Sequence, residues 1–273
     1  MELEHDFIKV VVSNNKNEES IYRLTYYDGE NEGLPFVGID SHLASPQETS
    51  PALSQETSLV FPEKINFFRY DNSLSNRSLQ AFPGARIWGW SNNGKIAYSI
   101  ERAIDGRGGQ IIDFVVLDLI TDKTVFELKM DSFDHNEVAN ETLYTIYKTE
   151  ILNAQRVYGI VPEGTQFLPF PFTRNNKEFK AHIIDVEYKD DEHGFFEKIV
   201  SGYKVSVSAK EKSKIVSTFV PLRSVTNNVY VCGYVLSPFE NRIMAVIAEE
   251  AWVHEGTEMF YRFAGCHLGV GFN

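Results

Sequence analysis

The sequence has only two cysteines among 273 residues, Cys232 and Cys266. They are too few for a disulfide framework and too far apart for a zinc knuckle. No stretch approaches 18 consecutive apolar residues, which argues against a membrane-spanning helix. Basic residues are scarce: 26 Lys and Arg face 38 Asp and Glu, a net charge of −12. Neutralising phosphates needs clustered bases, so no nucleic-acid partner is expected. Catalytic signatures are missing too. G-x-S-x-G, H-E-x-x-H and C-x-x-C do not occur, and the glycine-rich stretch 105–109 lacks the Lys-Ser/Thr of a phosphate loop. No motif implies a cofactor, and none is expected. The first residues, MELEHDFIKVVV, carry neither a basic n-region nor an apolar h-region. The expected compartment is the cytoplasm for the chain as it stands, or an extracytoplasmic one if a signal has been removed.

What is plentiful is aromatic and β-branched. Phe (20) and Tyr (13) suit half-buried pleated surfaces. Fourteen segments read as strands. Seven lie at 7–12, 21–27, 64–70, 86–90, 95–101, 110–118 and 124–128. Seven more lie at 165–170, 179–188, 195–207, 214–221, 229–236, 243–250 and 258–267. Turn chemistry such as Asn92-Asn93-Gly94 separates them. One interval breaks the pattern. Between 136 and 158 there is no Gly or Pro, and Leu143, Ile146, Tyr147, Ile151, Ala154, Val157 and Tyr158 recur at helical spacing. Asp134 and Glu137 have the spacing of a capping box, and Gly159 sits where a left-handed C-cap belongs. The apolar stripe should pack on β structure, with Glu141, Thr145, Lys148 and Gln155 facing water. The Ser/Thr/Gln/Pro-rich stretch 44–58 reads as a mobile surface loop or as a recognition or modification segment.

Several constellations could carry chemistry or binding. Asp190, Asp191 and His193 could hold a divalent metal, although consecutive ligands rarely converge on one ion and a solvated hairpin is the plainer reading. The run 134–137 fits a helix cap as well as an acid–base cluster. Trp88 and Trp90 share one strand face by the period of two. The same period groups Leu168, Phe170 and Phe172, with Phe167 on the opposite face, and the intervening prolines Pro169 and Pro171 mark an edge. Trp88, Trp90, Phe167, Phe170 and Phe172 form either core or a partner- or carbohydrate-contacting face. Strands 229–236, 243–250 and 258–267 read as an antiparallel meander. That places Cys232 opposite about Ala245, and Cys266 opposite about Ile243. The thiols then sit about two strand spacings, ~9.5 Å, apart, beyond the ~7 Å reach of a disulfide. Both are expected to be buried thiols.

Trp90-Ser91-Asn92-Asn93-Gly94-Lys95-Ile96-Ala97 is an aromatic, a Ser, a tight turn, a base and an apolar strand. Ser237-Pro238 before Ile243 repeats the idea, and 114–123 continues the first copy into another turn. This pattern resembles blade segments of TolB-type β-propellers. The mid-chain helix ending in Tyr158-Gly159-Ile160 resembles a group of bacterial proteins predicted to be secreted. Neither resemblance implies a reaction. The expected fold is mainly β: antiparallel, propeller-like or sandwich-like sheets with one central α-helix at about 136–158. The chain is expected to be one β-rich unit, 1–273, or two halves, 1–130 and 160–273, joined by the helix. The expected function is a non-catalytic binding or scaffold protein with a protein or cell-envelope partner. The alternative is a metal-dependent hydrolase whose site gathers scattered Asp, Glu and His.

Overall fold

A computed structural model describes residues 7–13, 19–25, 38–40, 59–67, 79–81, 83–103, 109–192, 194, 196–253 and 256–273. The stretch 44–58 lies outside them, as does most of 105–109. The chain divides into two compact units, Met1–Glu56 and Thr57–Asn273. In the first, β1 (Phe7–Ser13), β2 (Glu19–Thr25) and β3 (Gly38–Asp40) form an antiparallel sheet in that order.

The second unit is built from three further sheets. β5 (Gly84–Trp90), β6 (Lys95–Ala103), β7 (Gln110–Asp118) and β8 (Lys123–Asp131) form a consecutive antiparallel meander. A five-stranded sheet runs β4 (Leu79–Ala81), β16 (Gly256–His267), β15 (Arg242–Val253), β14 (Thr226–Leu236), β9 (Phe167–Leu168). The third contains β10 (Phe172–Arg174), β11 (Lys177–Asp190), β12 (Lys198–Ala209) and β13 (Lys212–Phe219) in sequence order. The fold is mainly β and antiparallel, as expected.

Side-chain clusters show how the layers stack. Ile87, Trp90 and Ile96 of the meander meet Val235, Val246 and Met259 of the five-stranded sheet. The far face of that sheet, through Ala245, Ile247 and Ala264, meets Val200, Tyr203 and Val205 of β12. The five-stranded sheet is therefore covered on both faces. This explains why β15 is buried without interruption from Ile243 to Ala251 instead of alternating. The meander's outer face, through Trp88, Ile112 and Phe114, receives the helical segment.

That segment differs from the expected single helix at 136–158. It is two helices, α1 (Asn140–Ile146) and α2 (Lys148–Tyr158), jointed at Tyr147, whose backbone (φ −93°, ψ 19°) leaves the helical region. The Tyr147 hydroxyl lies 3.1 Å from His135 Nε2 at the joint. The Asp134–Glu137 capping box does not form. Residues Ser132–His135 wind into a 3-10 turn capped by Asp131, and Asn136 and Glu137 both take positive φ, so the helix starts later. Gly159 does close α2 in the left-handed conformation. Leu143, Ile151 and Ala154 are buried against the sheet, but Ile146 and Val157 are 45% and 64% exposed. At about 100° per residue those two fall on the flank of the stripe, and Tyr144 on the other flank is the one buried.

Two local irregularities alter strand faces. A bulge between Ile87 and Gly89 turns Trp88 and Trp90 to opposite faces of the meander, so they do not share one. Gly89 sits at φ +134°, and a Cβ there would lie 1.9 Å from the Val161 carbonyl oxygen. A second bulge, between Val231 and Gly233, leaves Tyr234 rather than Cys232 opposite Ala245. Cys266 pairs with Ile243 as expected. Both cysteines are thiols, with Cys266 buried and Cys232 half-buried.

Candidate functional site

Where β6–β8 splay from β16, a cleft of about 520 Å³ opens between the meander and the five-stranded sheet. Strand register builds one wall. Tyr98 pairs with Val115, which pairs with Glu127, so the three form a cross-strand row on one face. Further along the same face, Arg102 of β6 reaches diagonally to Asp113 of β7 at 2.5 Å. The other wall is β16 from Met259 to Phe263, with Phe219 at the end of β13 and Leu222 and Arg223 beyond it.

The aromatic rings give the cleft its apolar surface. Tyr98 and Phe263 lie 4.3 Å apart, centroid to centroid, at 47°. Arg223 lays its guanidinium 4.7 Å over the Phe260 ring. Most of the charge is already committed. Arg262 is 3.3 Å from Glu249, which is fully buried and also receives the Tyr203 hydroxyl and the Leu222 N–H, each at 2.7 Å. Arg262 also donates to the Val220 carbonyl at 2.6 Å. Three polar groups are left over. Among the described residues, no carboxylate pairs with Arg223, no cation pairs with Glu127, and the Tyr98 hydroxyl makes no hydrogen bond. Burial, followed by the Glu127 and Asp113 charges, pushes the Tyr98 phenol up, so it stays protonated.

The other polar centre is saturated. The Glu101 carboxylate, 2% exposed, accepts Arg86 Nε at 2.6 Å and Tyr144 Oη at 3.0 Å on one oxygen. Its second oxygen accepts Lys64 Nζ at 2.8 Å and Asn140 Nδ2 at 2.9 Å. A relay from Trp88 Nε1 through Ser99 to the Tyr144 hydroxyl completes it. Burial raises the Glu101 pKa, but the hydrogen bonds and charges of Lys64 and Arg86 outweigh it, and the net value lies below the ordinary one. With four donors in place, the carboxylate has no site left for a substrate. It ties α1 and residues 62–64 to the meander.

None of the described residues expected to bind lines the cleft. Trp88 and Trp90 are buried in two different cores, because both faces of the meander are covered. Trp90 donates Nε1 to the Gly164 carbonyl. Phe167 is buried in β9, while Phe170 and Phe172 are half-buried and packed on Tyr234 at 5.1 and 4.1 Å. Asp190 ends β11 exposed, and Asp191 accepts the Phe196 N–H at 3.0 Å. His193 lies outside the described residues. Among those described, no three His, Cys, Asp or Glu side chains gather as metal ligands, and no helix is long and apolar enough to cross a membrane. No family model matches the chain, and no curated protein or solved structure matches it.

Proposed function

We propose that this protein is a non-catalytic β-rich binding protein and that the cleft between the meander and β16 is its recognition site. The observation that supports this is the set of uncommitted polar groups. Arg223, Glu127 and the Tyr98 hydroxyl are gathered in one concave, aromatic-walled space, whereas Glu101 and Glu249 elsewhere are consumed by internal partners. Concave apolar surfaces with a few convergent polar groups are where ligands bind. A protein or envelope partner would engage the cleft through one inserted group, because the volume suits a side chain or headgroup. A net charge of −12 favours partners other than nucleic acid.

The test is a ligand-observed NMR screen of small fragments of all three charge types, against the protein and Thr124→Trp. Thr124 is exposed and lines the cleft, so the indole should fill it without disturbing the core. Hits lost in Thr124→Trp, with its melting temperature unchanged, are the expected result. Hits indifferent to Thr124→Trp overturn the site. A hit converted to product in the same spectra overturns the non-catalytic assignment.

A further inference from the structure

Resting on that reading, we infer that the cleft takes a small organic cation: an ammonium carried on an aromatic or alkyl body.

Tyr98 is the first reason. It is 8% exposed, lines the cleft, and its hydroxyl makes no hydrogen bond among the described residues. The ring is buried while the hydroxyl is presented at the cleft wall with no protein partner among the described residues, so a ligand group can hydrogen-bond it. The second reason is the sign of the charge beside it. Glu127 lies two strands away in the same cross-strand row and has no cationic partner among the described residues. Tyr98 Oη and the Glu127 carboxylate are both hydrogen-bond acceptors on the same wall of the cleft. Two of the three arginines that line the cleft are neutralised, Arg102 by Asp113 and Arg262 by Glu249; the third, Arg223, stands on the opposite wall. Shape is the third reason. The Tyr98 and Phe263 rings meet at 47°, an angled apolar surface for the ligand body, about two strand spacings or ~9.5 Å from the Glu127 backbone. An anion would find one uncommitted cation, Arg223, on the opposite wall and already over Phe260.

Three probes with one skeleton separate the terms: phenethylammonium, 2-phenylethanol and phenylacetate, each titrated by chemical-shift perturbation. Phenethylammonium should bind about fivefold or more tighter than 2-phenylethanol, the scale of one partly exposed ion pair plus a hydrogen bond. Glu127→Gln should abolish that preference. Tyr98→Phe, which keeps the ring in the core, should reduce it. Tighter binding of phenylacetate, lost in Arg223→Gln, would overturn the ammonium assignment while leaving the cleft as the recognition site. Equal affinity for all three, or a preference untouched by Glu127→Gln, would overturn it as well.

Discussion

The Glu101 network permits a quantitative prediction. Glu101→Gln keeps the shape of the side chain, removes its charge, and sets an NH2 group among four donors. Arg86, itself 7% exposed, would retain Glu141 at 2.9 Å, but that side chain is 61% exposed and a poor substitute. Removing one partner of a buried pair costs about 3–5 kcal/mol, because the remaining charge stays desolvated. For a unit of this size that is a fall in melting temperature of roughly 6–20 °C, at about 2–4 °C per kcal/mol. The loss should be strongly coupled: Arg86→Met in the Glu101→Gln background should cost less than Arg86→Met alone, since the orphaned charge is gone. The pH dependence has a definite sign. The folded Glu101 pKa is depressed, so its contribution is complete above the ordinary glutamate value of about 4.3 and is lost as pH falls through the folded value. The stability gap between wild type and Glu101→Gln, from urea denaturation, should be flat above about pH 5 and narrow below about pH 4.3. A loss below about 1 kcal/mol, strictly additive variants, or a gap that widens in acid would refute the reasoning.

Four other outcomes can be checked. Gly89→Ala combines a positive-φ position with a Cβ 1.9 Å from the Val161 oxygen, so it should cost at least about 2 kcal/mol by chemical denaturation. Ile151→Ala, fully buried, should cost about 2–4 kcal/mol, while Val157→Ala, 64% exposed, should stay within about 0.5 kcal/mol. Thiol titration of the denatured protein without reductant should return two thiols per chain, and zero would contradict the observed strand order β14–β15–β16. Burial pushes the Cys266 thiol up to about 11, so alkylation of that residue in the native protein at pH 8 should be slower than in the denatured protein by about a hundredfold or more.

What the sequence made legible was local. The expected strand 110–118 is β7 residue for residue, because Gly109 and the turn after Asp118 mark both ends. The period of two placed Leu168, Phe170 and Phe172 in one cluster and Phe167 in another, as observed. The same rule failed at Trp88 and Trp90, since a bulge adds one residue and reverses every face beyond it. The stripe of α1 and α2 was read correctly at its centre, at Leu143, Ile151 and Ala154, and incorrectly at its flank. The cleft was not legible at all. Its walls join β6–β8 to Met259–Phe263, more than 120 residues further on, and only the stacking of two sheets brings them together. The contrast between two glutamates shows why. Glu101, in Ile-Glu-Arg, and Glu127, in Phe-Glu-Leu, are each a carboxylate that follows an apolar residue in a strand. One is consumed by Lys64, Arg86, Tyr144 and Asn140, which lie between 15 and 43 residues away. The other meets no cation among the described residues. An unpaired carboxylate and a structural one differ in those distant partners, so the difference arises at the level of tertiary packing and has no counterpart in local pattern.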